Sequence, residues 1–71
     1  TDETLCLEGL RHLQREARAQ PMARLTLSLP LRAFDWMSGS GLDLHARLDE
    51  TFGARLTISS SDKSKPEVFQ T

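Results

Sequence analysis

The 71 residues carry a formal net charge of −1, and 38% of them are hydrophobic and 27% charged. A chain of this length makes one small domain, and its apolar share is enough for a core and too high for a disordered segment. The near balance of charges leaves no large basic field that would attract nucleic acid, and no acidic tail. No apolar run approaches the ~20 residues of a membrane span, so we expect no membrane partner.

Residues 1–20 predict an N-terminal helix. Asp2 is the expected N-cap, and Pro21 closes the helix. Cys6 stands at an apolar position, which favours core packing over a reactive thiol. A lone cysteine cannot form an internal disulfide, which favours a reducing, cytoplasmic localisation. The apolar stripe of the helix, with Leu5 beside it, consists of Cys6, Leu10, Leu13 and Ala17.

Residues 24–58 predict a β-α-α-β core. Residues 24–29 alternate between leucine and polar residues, as a half-buried strand does. Pro30 ends this strand and begins a short helix over residues 31–37. After a turn over residues 38–41, a second helix has an apolar residue at every fourth position, Gly53 ends it, and residues 54–58 alternate as a second strand.

Only one side of each predicted strand is apolar, so the helices must cover one face of the sheet. Residues 59–65 are polar and predict a loop, and Val68 and Phe69 favour a short edge strand within residues 66–71. The expected fold is therefore a two-layer α+β domain of order α-β-α-α-β, with that edge strand at its end. We expect one domain over residues 1–71, and because it begins with Thr1 we expect a fragment of a longer protein.

No group of residues predicts catalysis or a resident metal. Asp43 and Arg47 have the spacing of an ion pair on a solvated helix face. His12 and His45 are expected on the surface, with a pH-sensitive contact as the alternative. One cysteine and two separated histidines do not make a zinc site. The remaining candidate carboxylates are Asp35, Asp49 and Glu50.

The turn between the two core helices, SGSG, stands where KH nucleic-acid-binding domains carry a GxxG loop. The order strand, helix, glycine loop, helix, strand resembles the KH core, whose loop clamps the sugar-phosphate backbone. Leu42 occupies the position of the second motif glycine, and the loop has no lysine or arginine, which argues against a phosphate clamp. The RNA-binding candidates that this resemblance implies are Gly39, Ser40, Gly41 and Arg47.

The first helix resembles the segment that follows the zinc-link cysteines of ribonuclease E/G proteins. The matching residues are Glu3, Thr4, Leu5, Leu10, Arg11 and Ala17. The order of strand, proline, short helix, longer helix, glycine and strand is similar to the C-terminal small domain of that family. The closing KPEVF resembles its terminal P-x-x-F/Y segment, so the resemblance spans essentially the whole chain.

This resemblance implies a non-catalytic small domain that supports oligomer assembly. Family members are Mg²⁺-dependent endoribonucleases that cut single-stranded RNA, and their catalytic aspartates and zinc-link cysteines precede the matching region. Mg²⁺ and Zn²⁺ are therefore expected in the parent protein and not in this fragment, and RNA is expected to bind through the parent. The implied partners are the rest of the parent chain and a homo-oligomer. Trp36 is expected either in the core or at an interface. The alternative function is a stand-alone KH-like RNA-binding module. The interface candidates are Leu5, Leu10, Leu13 and Trp36.

Overall fold

A computed structural model describes residues 1–70 of the chain. The order α-β-α-α-β-β confirms the predicted α+β class, including the C-terminal edge strand, while the KH-like topology stays a prediction. Thr71, the last residue of the predicted edge strand, lies outside the described residues. The elements are α1 (Asp2–Ala19), β1 (Leu25–Pro30), α2 (Leu31–Ser38), α3 (Leu42–Phe52), a 3₁₀ turn (Gly53–Arg55), β2 (Leu56–Ser61) and β3 (Glu67–Gln70).

The three strands form a mixed sheet of order β2-β1-β3, with β1 in the centre. β1 pairs with β2 in parallel and with β3 in antiparallel orientation. Parallel neighbours need a long crossover connection, which α2 and α3 provide here. Leu27 lies opposite both Ile58 and Val68, and directly paired residues point to the same side of a sheet. One face of the sheet therefore collects the leucines of β1 with Ile58 and Val68, while Phe69, paired with Thr26, lies on the other face and is exposed.

The core lies between this face and the helices. α1 and α2 both pack against β1 and against each other. The Cys6 thiol also donates a hydrogen bond of 3.4 Å to the carbonyl of Ala33, which ties α1 to α2. The fully buried apolar residues are Cys6, Leu13, Leu25, Leu27, Leu29, Ala33, Met37 and Leu48. The core is thus supplied by all three helices and the central strand.

The polar face of β1 is less exposed than the alternation predicts. Ser28 has only 8% of its surface accessible. It sits in the middle of the sheet, paired with Ser59 on one side and Glu67 on the other, so its neighbours shield it. Central position, which the sequence does not reveal, accounts for this burial.

The second strand begins later and ends later than predicted. Gly53 has the positive φ expected of a residue that ends a helix, at +56°, but the chain then makes a 3₁₀ turn before the strand begins at Leu56. Arg55 is drawn away from the sheet because its guanidinium donates to the carbonyls of Ala23 and Gln20. Residues 59–61, predicted as a loop, pair with residues 28–30 of β1. Backbone hydrogen bonds between strands do not require apolar side chains. The polar residues at 59–61 therefore gave no sequence signal for this part of the strand.

Two predictions about α1 need correction. The N-cap is Thr1 and not Asp2, because the Thr1 hydroxyl accepts the backbone N–H of Thr4 at 3.1 Å. Leu13, predicted at an interface, is fully buried in the core. Leu13 belongs to the same buried cluster as Cys6 and the leucines of β1, so this side chain offers no surface to a partner.

The burial of Leu13 makes a stability prediction. Leu13→Ala should lower the free energy of unfolding by about 2–5 kcal/mol, because it removes buried methyl groups and leaves a cavity. Leu7→Ala is the matched control on the same helix; Leu7 is 38% exposed, so we expect a loss below about 1 kcal/mol. Urea denaturation followed by circular dichroism measures both, and equal losses would contradict the assignment.

Candidate functional site

A groove with a partly apolar lining runs between α1 and α3, where several of the predicted site residues lie. It consists of two adjoining depressions of about 290 and 160 Å³ that share Leu44 and Arg47. We call it the α1–α3 groove. Its main apolar lining residues are Leu7, Leu10, Trp36, Leu44 and Phe52, and its charged residues are Glu3, Asp43 and Arg47.

The groove brings together two of the four predicted interface residues. Leu10 lines one depression and Trp36 the other, and both are partly buried against the core. Leu5 also packs against the core but lines neither depression. Trp36 therefore does both things that the sequence left open: it packs on the core and lines an accessible surface.

Gly41 owes its identity to packing under Trp36. A Cβ built at Gly41 would lie 2.5 Å from Cζ3 and 2.7 Å from Cε3 of the indole, and 3.0 Å from the Cα of Met37. These distances are below any ordinary van der Waals contact. A Cβ built at Gly39 meets nothing closer than a backbone oxygen at 3.7 Å. The two glycines of the turn thus have different roles, and only the second is required by space.

The backbone donors of both glycines in this turn are already used. The N–H groups of Gly39 and Gly41 both donate to the Trp36 carbonyl, at 3.2 and 2.8 Å, and the Leu42 N–H donates to the Gly39 carbonyl. A loop that clamps phosphate needs free amides. Ser40, Gly41 and Arg47 line the same depression, whereas Gly39 does not. RNA binding by these four residues stays a prediction.

Arg47 is exposed and, within residues 1–70, does not form the ion pair with Asp43 that the sequence predicts. Within these residues the ion-pair contact on α3 joins His45 and Asp49 at 3.9 Å. Arg47 is exposed on the groove wall, in the same depression as Glu3 and Asp43. The groove therefore carries charges of both signs beside its apolar lining.

A second surface feature lies on the other flank of α1. Glu8, Arg11, His12 and Arg15 face Lys65 and Pro66 of the β2–β3 loop across a cleft of about 320 Å³. We call this the cationic cleft. The spacing of residues 8, 11, 12 and 15 places them on one helix face, which the sequence could have revealed. That Lys65 lies opposite depends on the fold, and the sequence carries no signal for it.

The Cys6 thiol is buried and has low reactivity as a nucleophile. Burial raises the pKa of its thiol, and the negative charges of Asp2 and Glu3 raise it further. Thiolates are the reactive form of cysteine, so this side chain is a poor nucleophile and a poor metal ligand. It acts as a packed core residue, as predicted from its apolar position.

Comparison with known proteins adds no relative. No family model matches the chain, and no curated protein or solved structure matches it either. Across residues 1–70 no helix is long and apolar enough to cross a membrane. In the same part of the chain, no three His, Cys, Asp or Glu side chains are grouped to hold a metal ion.

The packing of Gly41 predicts unequal effects of alanine at the two turn glycines. Gly41→Ala should lower the free energy of unfolding by about 1–3 kcal/mol, because the indole must move to admit the methyl group. Gly39→Ala should change it by less than about 0.5 kcal/mol. Thermal unfolding of both variants tests the difference, and an unaffected Gly41→Ala would show that Trp36 is not held as described.

The raised pKa of Cys6 predicts how stability changes at alkaline pH. Near neutral pH the thiol is protonated in both the folded and unfolded chain. As pH rises past about 9, the usual thiol pKa, the unfolded chain loses its proton first, so stability falls until pH passes the folded-state pKa. Cys6→Ala should flatten this decline, whatever its cost at neutral pH. Urea titrations between pH 7 and 10.5 measure it, and parallel curves for the two proteins would contradict the prediction.

Proposed function

We propose that this chain is a non-catalytic assembly domain that pairs with a second copy of itself through the α1–α3 groove. We further propose that it is the cytoplasmic, C-terminal small domain of a ribonuclease E/G-like endoribonuclease. In such a parent the Mg²⁺ chemistry, the zinc link and the contacts with RNA would belong to the preceding region. The observation that carries the assembly role is the groove itself.

The groove offers apolar surface without a partner inside the chain. α1 makes its main contacts with α2 and β1, and α3 makes its own with α2, the 3₁₀ turn and β2. Leu7 is 38% exposed on the wall of the groove, and Trp36 is only partly buried in it. Covering apolar surface contributes roughly 25 cal/mol per Å² removed from water, and a tryptophan is a frequent anchor of interfaces.

The charges of the groove favour a second copy as the occupant. In a two-fold symmetric dimer, a residue of one copy that contacts a second residue of the other copy makes the same contact again in the opposite direction, so each contact forms twice. Arg47 can then face the acidic wall of the other copy, formed by Glu3 and Asp43, and both contacts form twice. The groove of one copy is therefore complementary in charge to the groove of a second copy, and both grooves are also lined by apolar residues.

Charge exchange across the interface tests this pairing. Arg47→Glu and Asp43→Lys should each weaken self-association about tenfold, because each sets like charges against one another. An equimolar mixture of the two variants should associate again, since the new carboxylate at position 47 of one variant then faces the new ammonium at position 43 of the other. Sedimentation velocity over a concentration series measures all four cases.

Matched controls keep the test specific. Arg18→Glu and Glu50→Lys make the same charge changes at exposed positions of α1 and α3 that line neither depression, so both should associate like the unaltered protein. A monomer at every concentration, or a mixture that fails to recover, would overturn the pairing.

A further inference from the structure

We propose that the cationic cleft between α1 and the β2–β3 loop is a binding site for phosphate groups. The ligand is either a small phosphate compound, such as inorganic phosphate or a nucleotide, or the phosphate backbone of a single-stranded nucleic acid. The same side-chain chemistry recognises both. This inference does not rest on the assembly role, because the cleft and the α1–α3 groove use different residues on opposite flanks of α1.

The charge of the cleft differs from that of the molecule. Arg11, Arg15 and Lys65 carry permanent positive charges, and Glu8 is the one carboxylate in the lining. The whole chain has a formal net charge of −1, so the positive charge is local to this cleft. A concave surface focuses such a field and draws in anions.

The three cations have no competing partner. The side chains of His45 and Asp49 are in contact, as are those of Lys63 and Glu67, and neither contact involves the cleft. No hydrogen bond of the described residues engages the side chains of Arg11, Arg15 or Lys65 either. Their donors therefore face solvent and can turn to a ligand.

The two walls of the cleft are fixed to each other. A Cβ built at Gly9 would lie 3.1 Å from side-chain carbons of Leu27 and Leu29 and 3.3 Å from the Cβ of Pro66, so α1 packs closely on both the sheet and the loop at this point. Pro66 directly follows Lys65 and precedes β3, which pairs with β1. The loop is also held at its other side by the Lys63–Glu67 contact of 3.6 Å. The position of Lys65 opposite α1 thus follows from packing.

The donor set suits phosphate in particular. A guanidinium presents paired N–H donors that match two phosphate oxygens, and a lysine ammonium adds a point charge. Arg11 and Arg15 are one helical turn apart, about 6 Å along the axis, so both can reach one ligand from the same wall. The half-buried His12 lies between them in the lining and adds ring N–H capacity. Glu8 opposes an anion and limits its affinity.

Amide chemical shifts of the ¹⁵N-labelled chain test the site directly. Sodium phosphate and a single-stranded octauridylate are titrated separately, with chloride used to hold ionic strength constant. We expect saturable shifts confined to residues 8–15 and 62–67. If both ligands act alike, the source is a free phosphate; a tighter, steeply salt-dependent response to octauridylate identifies a strand. No shifts, or shifts at every exposed arginine, would overturn the proposal.

Substitutions separate a built site from general attraction. Arg11→Gln and Lys65→Gln should each weaken binding about five- to tenfold, whereas Glu8→Gln should tighten it several-fold by removing the opposing charge. Arg18→Gln removes the same charge from an exposed position of α1 outside the cleft and should leave binding within about twofold. Equal weakening by Arg18→Gln and Arg11→Gln, or no gain from Glu8→Gln, would contradict the site. All four positions are exposed, so the fold is expected to survive, and circular dichroism checks this.

Discussion

The fold depends on the close contact between α1 and the central strand β1. Leu27 and Leu29 of β1 lie where a Cβ at Gly9 would be 3.1 Å away, so the helix rests almost directly on the strand. Leu13 and Cys6 of the same helix are fully buried in the cluster that contains the leucines of β1. Since a domain of this size buries only about 60% of the surface that its unfolded chain exposes, few other contacts can replace this one. The positions of α2 and the β2–β3 loop are set against the same pair of elements.

One face of α1 is buried in the core, so its two flanks are the parts of the helix that line the candidate sites. One flank contributes Leu7 and Leu10 to the α1–α3 groove, and the other contributes Arg11 and Arg15 to the cationic cleft. The two flanks differ in chemistry, apolar on one and basic on the other, and the core separates them. A single helix therefore serves as the wall of two distinct candidate sites.

The sequence was informative where local rules decide structure and silent where pairing across the chain decides it. The helices, the central strand and the positive φ at Gly53 follow from periodicity and backbone preference, and the structure agrees with them. The start of β2 at Leu56 depends on hydrogen bonds from Arg55 to residues more than thirty positions away. Likewise, an apolar stripe does not say which of Leu10 and Leu13 faces the core and which lies at its border. Lys65 joins the cleft only because β3 folds back along β1.

The turn over residues 38–41 shows how a motif can have a packing cause. Its glycines suggested contact with a nucleic acid backbone, yet Gly41 makes room for the Trp36 ring and the amides of both glycines donate to a neighbouring carbonyl. A phosphate ligand at the turn would therefore rely on the side chain of Arg47, whereas Arg11, Arg15 and Lys65 are grouped on the far flank of α1. Pairing through the α1–α3 groove leaves that flank exposed in both copies. Assembly and phosphate binding are thus compatible, and a dimer would present two cationic clefts on its outer surface.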